Sequence, residues 1–173
     1  LKGESIDYHC SFITAKGTFK YLEIKNFSIV YQQEIIGVYG IAKDITEKLE
    51  IDRKRRADKQ MLRAIIDNIP DYIFVKDRNN RSILTNKRFA NNILGLDDLK
   101  TNSNITPLDY FEETKAKKVI ADNDLVMNSG KAVYNRQDIV EKGDGSREMV
   151  LLTKVPLKDA EDNVIGLVGI ARN

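Results

Sequence analysis

The sequence predicts a mixed α+β chain whose sheets are mainly antiparallel, and three observations predict it. A strand-like segment occurs twice. A stretch of helix formers without glycine or proline separates the two copies. After Pro70 the chain runs in the order hairpin, short helices, three strands.

The repeat is the most informative of the three. Ile36-Gly37-Val38-Tyr39-Gly40-Ile41-Ala42-Lys43-Asp44 matches Ile165-Gly166-Leu167-Val168-Gly169-Ile170-Ala171-Arg172-Asn173 at an offset of 129, with five identities in nine positions. Upstream, Gly17 to Gly37 matches Gly145 to Gly166 once a single residue is inserted, where a hairpin loop absorbs it at little cost. The second copy has a long lead-in from Pro70, whereas the first begins almost at residue 1. Residues 1–45 therefore read as the closing strands of an upstream domain.

Residues 45–69 contain no glycine or proline and are rich in Lys, Glu, Arg, Leu and Ala, so they predict one helix. Asp44 or Thr46 is placed to cap its start, and Pro70 disfavours helical geometry at Ile69. Ile51, Arg55, Asp58, Leu62, Ile65 and Ile69 fall on one seam of three- and four-residue spacing, broken by two polar positions. A coiled coil there would be weak in the middle and stronger toward its end. The chain thus divides into strands at 1–45, a connecting helix at 46–69 and a complete domain at 70–173.

Within that domain, Tyr72-Ile73-Phe74-Val75 and Ser82-Ile83-Leu84-Thr85 flank a polar turn and predict a hairpin. Asn86 stands at an N-cap position before Phe89, Ala90, Ile93 and Leu94 at helical spacing, with Gly95 as the stop. A loop containing a short turn is expected from 97 to 109, and a second helix over 111–127, ended by Ser129-Gly130. Strands over 132–141, 146–157 and 164–172 close the chain, with Gly143-Asp144-Gly145 turning between the first two.

Composition narrows the function classes. With 42% hydrophobic and 31% charged residues the 173-residue chain is globular, not disordered or fibrous. The net charge of +2 gives no reason to expect nucleic acid as a partner. One cysteine, Cys10, permits no internal disulfide and fits a reducing, cytoplasmic compartment. No apolar run approaches the roughly 18 residues that a spanning helix needs. Lacking an initiator methionine and ending after a strand-like run, the chain is expected to be an excerpt of a longer polypeptide whose membrane anchor, if it has one, lies elsewhere.

The residues also resemble a known family. Asp67-Asn68-Ile69-Pro70-Asp71-Tyr72-Ile73-Phe74-Val75-Lys76-Asp77 looks like the opening of a PAS core, and Leu84-Thr85-Asn86-Lys87-Arg88-Phe89-Ala90 is similar to its second strand and first helix. Gly143-Asp144-Gly145-Ser146-Arg147-Glu148 resembles the long hairpin, and Thr153 to Asp159 followed by Val164 to Arg172 resembles the closing strands. Asp44-Ile45-Thr46-Glu47 is similar to the junction where the family's connecting helix departs. The resemblance implies a five-stranded antiparallel sheet with helices on one face. It also implies a sensory and dimerising module of a signalling protein, most often a histidine kinase. A ligand-free assembly domain, or a module of a diguanylate cyclase or transcription regulator, is the alternative. A homodimer and an output domain in the same polypeptide are the expected partners.

Several constellations invite sharper readings. His9, the only histidine, lies outside the complete domain, which argues against haem; as strand neighbours, His9 and Cys10 point to opposite faces and cannot chelate one metal ion. Residues 70–173 contain no cysteine, which argues against a cysteinyl-flavin adduct. Arg53-Lys54-Arg55-Arg56 has acidic neighbours at helical spacing and reads as a solvated face. Gly37, Gly40, Gly166 and Gly169 lie inside strands and mark close approach or bulges. Glu112, Glu113, Asp122 and Asp124 read as surface carboxylates. The fragment itself is expected to be catalytically inert. No cofactor is identified, but a ligand cavity between the sheet and the helices is expected. The repeat pairs Leu22 with Val150, Ile24 with Leu152 and Asn26 with Lys154, so this parity of the long strand faces inward. Phe89, Ile93, Ile120, Val150, Leu152 and Lys154 are the expected lining, with Lys154 either recognising an anionic ligand or reaching water.

Overall fold

In a computed structural model, which describes residues 6–95 and 104–173, the chain forms two compact units, Leu1–Gln60 and Met61–Asn173. The division falls inside the connecting helix rather than at either of its ends. Of the expected loop from 97 to 109, residues 97–103 lie outside the described residues, and the short turn expected within it is a 3-10 turn at Pro107–Asp109.

The first unit is an antiparallel meander of β1 (Ile6–Ile13), β2 (Phe19–Tyr31) and β3 (Glu34–Asp44). Asp44 then opens helix α1 (Thr46–Asn68). Its carboxylate accepts the Thr46 N–H at 2.9 Å, while the Thr46 hydroxyl accepts the Tyr21 N–H at 2.9 Å. Both residues expected to start the helix take part, one on the helix and one back to the sheet. His9 and the Arg53–Arg56 run are exposed, and Arg53 donates to the Tyr21 hydroxyl.

The second unit contains β4 (Tyr72–Asp77), β5 (Ser82–Thr85), β6 (Val133–Glu141), β7 (Arg147–Lys158) and β8 (Val164–Arg172). They form one sheet in the order β5-β4-β8-β7-β6, with every neighbouring pair antiparallel. On one face lie α2 and α3 (Glu113–Ser129); α2 is an α-turn, Lys87–Phe89, that widens into π-helix over Ala90–Leu94. Gly95 and Gly130 end these helices at φ of +65°, the left-handed geometry that lets a glycine terminate a helix without strain.

Glycines hold the strands close where the sequence placed them. A Cβ at Gly166 would stand 2.1 Å from the Lys76 carbonyl oxygen, and one at Gly169 would meet the Phe74 ring at 2.0 Å. Gly40 is similarly closed by the Asn26 side chain, but Gly37 has ordinary space. In the row formed by Phe74, Gly169 and Lys154, the missing side chain of Gly169 makes room for the ring of Phe74.

Among the described residues no helix is long and apolar enough to cross a membrane.

Candidate functional site

The inner face of the sheet and the helices enclose a cavity of about 440 Å3. Strand alternation supplies its floor: Tyr72, Phe74 and Lys76 of β4, Val150, Leu152 and Lys154 of β7, and Ala171 of β8 share one parity. Phe89 and Ile93 come from α2, and Tyr110 and Phe111 from the turn that precedes α3. Phe89 packs against both Phe74 and Tyr110, with ring centroids 5.3 and 6.3 Å away.

Five of the six expected lining residues meet here. Ile120 does not. Helix α3 presents Lys115, Lys118, Val119, Asp122 and Asn123, the spacing of one helical face, and Ile120 lies about 100° further round. Val119 takes its place.

Lys154 does not reach water. Its side chain is buried, its ammonium donates to the Asn123 side-chain oxygen at 2.7 Å, and it forms an ion pair with Asp122. Arg136 of β6 grips the same carboxylate with two N–H groups at 2.6 and 2.8 Å. Asn123 donates to Asn80 at 2.7 Å, and Asn80 in turn donates to Asp124 at 2.9 Å. The expectation that Asp122 and Asp124 are surface carboxylates is therefore corrected: a polar chain runs from exposed Arg136 through Asp122 and Lys154 into the core. The Arg136 hydrogen bonds, with Lys154 beside them, hold Asp122 down to about 2; burial pulls the Lys154 ammonium below the ordinary lysine value.

Lys76 escaped the sequence reading because it stood at the edge of a polar turn. In the structure β4 continues through it, and its side chain is only 1% exposed. Its ammonium donates to the Ser82 hydroxyl at 2.7 Å and lies 5.1 Å from the centre of the Tyr110 ring. Burial lowers it to about 8. The usable signal was parity, since Lys76 continues the series Tyr72, Phe74.

At the far side Tyr72 donates to Glu148 at 2.8 Å, and Arg88 and Lys142 each hold the same carboxylate at 3.0 Å. Asn86, read from sequence as a cap, does more. Its side-chain oxygen accepts the N–H groups of Phe89 at 3.1 Å and Ile73 at 3.0 Å; its amide donates to the carbonyls of Asp71, Ile66 and Ile69 at 2.7, 3.2 and 3.4 Å. One side chain thus joins the end of α1, the start of β4 and the turn that carries Phe89.

Comparison with solved structures shows the same fold elsewhere. VqmA bound to DPO superposes with a TM-score of 0.58 at 20% identity, over 66% of this chain and 56% of that one. The Vibrio cholerae VqmA-ligand-DNA complex gives 0.57 at 21% identity, over 66% and 49%. The chain spans about half the length of these VqmA chains. The PAS domain of Bordetella pertussis BvgS gives 0.53 at 18% identity, over 68% of this chain and 86% of that one. No curated protein matches the sequence. The family model described as PAS fold matches residues 66–173, the span that contains the five-stranded sheet, both covering helices and the cavity between them. By that match the chain belongs to the PAS-fold family.

Proposed function

We propose that residues 66–173 form a sensory module that binds a small molecule in the cavity and passes its occupancy through α1 to an output domain of the same polypeptide. The observation that carries this reading is the cavity itself: about 440 Å3, walled by five aromatic rings from β4, α2 and the turn before α3, with charged and polar groups fixed in its wall. That size and lining suit a small organic ligand. VqmA, which shares the fold, is recorded bound to DPO.

For the output we favour a histidine kinase acting as a cytoplasmic homodimer. The DNA complex of VqmA supports a transcription regulator as the competing output, against the expectation from net charge that no nucleic acid is involved. Residues 6–44 are read as the closing strands of a second copy of the same fold, since they repeat the meander of β6, β7 and β8.

Native mass spectrometry of the purified chain, with an absorption spectrum, tests the sensory reading. A retained small molecule, or a saturable rise in Tm across a metabolite library, is the expected result. A dry protein that no compound stabilises would overturn it. Ligand-free assembly is the second reading, favoured by the apolar side chains that the β1–β3 meander leaves exposed, among them Ile6, Ile13, Tyr31, Ile36 and Val38.

In the proposed relay, α1 pairs with its counterpart in a second subunit. Leu62 and Ile65 are more than half exposed, while Ile66, about 100° round the helix from Ile65, is buried, so the last turns offer an apolar seam beside a buried anchor. Leu62→Asp with Ile65→Asp is expected to convert a dimer into a monomer in light scattering. A dimer that survives both changes would remove α1 from the interface.

A further inference from the structure

The charge carried by the cavity wall is unevenly satisfied. Five cationic side chains line it, Lys76, Lys115, Lys118, Arg136 and Lys154, against three carboxylates, Asp122, Asp138 and Glu141. Each carboxylate is already engaged: Asp122 by Arg136 and Lys154, Asp138 by Arg136 at 3.7 Å and Glu141 by Lys115 at 2.9 Å. The surplus of two positive charges therefore falls on Lys118, which is exposed, and on Lys76, which is not.

Lys76 is buried without a carboxylate in ion-pair contact among the described residues. The two nearest in effect, Asp77 and Asp109, are committed to their own turns. Asp77 accepts the N–H groups of Asn79 and Arg81 at 2.8 Å each, and Asp109 accepts the N–H and hydroxyl of Thr106 at 2.6 and 2.9 Å. Tyr110 offers only the face of its ring, and burial raises its phenol further, so it supplies no phenolate. Of the three N–H donors of the ammonium, Ser82 takes one. An ammonium removed from water in this way is costly unless an anion meets it.

We propose that the ligand is a small organic anion, an apolar body bearing one carboxylate, and that the carboxylate seats against Lys76 while the body lies among Phe74, Phe89, Tyr110 and Phe111. The inference rests on the ligand-binding reading of the cavity. A carboxylate at this point satisfies the donors that Ser82 leaves free, and a charge-assisted hydrogen bond in a water-poor site is strong. Lys154 cannot do the same without giving up Asp122.

A matched pair of probes tests this, 3-phenylpropionate and its primary amide, titrated calorimetrically into the whole chain. At pH 7 the carboxylate should bind about ten-fold more tightly than the amide, and that preference should fade as the pH rises through the Lys76 value of about 8, because only the protonated ammonium distinguishes the two probes. In Lys76→Met, and equally in Lys76→Gln, the two probes should bind alike. Lys118→Met should leave the preference unchanged. Equal binding of both probes by the wild type overturns the anion proposal and leaves the cavity reading standing. Binding of neither at millimolar concentration overturns both. A preference that persists in the Lys76 variants, or that disappears in Lys118→Met, overturns the assignment to Lys76.

Discussion

Asn86→Ala is expected to destabilise the second unit by about 3 kcal/mol, lowering its Tm by roughly 10–20 °C. The side chain caps α2 through the Phe89 N–H, accepts the Ile73 N–H and donates to three carbonyls, all at a site with no solvent exposure. An N-cap alone contributes about 1 kcal/mol, and each buried group left unpaired adds about 1–3 kcal/mol. Asn86→Asp should be no better, because it keeps the acceptor but turns a carboxylate toward the carbonyls of Ile66, Ile69 and Asp71. Urea unfolding of both variants checks this, and a loss below about 1 kcal/mol in each would mean that the hub carries little of the stability. The same bonds tie the end of α1 to Phe89 in the cavity wall, so a variant that still folds should also loosen the link between ligand and helix. Hydrogen exchange at Ile73 and Phe89, with and without a bound molecule, would show that loss.

Lys76→Met is expected to stabilise the ligand-free protein by about 2 kcal/mol at pH 7. Burial lowers the ammonium from 10.5 to about 8, so the unfolded chain holds the proton more tightly than the folded one. Folding therefore opposes protonation at Lys76, and that penalty is fully present below pH 8. It disappears as the pH rises from about 8 toward 10.5, so wild-type stability should climb across that window. A shift of this size corresponds to about 3 kcal/mol, from which the lost hydrogen bond to Ser82 subtracts about 1 kcal/mol. Methionine has a similar reach and no charge. The variant should lose most of the alkaline climb, and the remainder is assigned to Lys154, which burial lowers in the same direction. Unfolding at pH 7, 8, 9 and 10 makes the comparison. A variant less stable than wild type, with the slope unchanged, would show that Lys76 is satisfied where it lies. Stabilisation at the expense of ligand preference is the behaviour expected of a side chain kept for binding rather than for folding.

Much of the fold was legible because local chemistry and tertiary structure agree. Asn86 caps α2 where the spacing placed it, Gly95 and Gly130 stop the helices, and the closing strands run nearly as their alternation predicts. Inward parity of the long strand was legible too, since the repeat showed apolar residues twice at Val150 and Leu152. The rotation of α3 was harder. Val119 and Ile120 are both apolar, and the side of the helix that faces the sheet carries polar Lys115, Asp122 and Asn123, so hydrophobicity pointed to the wrong phase. The widening of α2 over Ala90–Leu94 left no local mark, because a π-turn is selected by how the helix fits against the sheet and not by its residues.

By itself the sequence determined the elements, their order, the repeated meander and the family, because backbone periodicity, caps and turn residues act between positions close along the chain. Only the tertiary structure decided which charges are satisfied. Lys154 and Lys76 are both lysines of inward parity, yet one meets Asp122 from a helix 32 residues away and the other meets Ser82 and an aromatic face. That difference depends on what packs across the cavity from each lysine, and Coulomb and desolvation energies act through space irrespective of position in the chain.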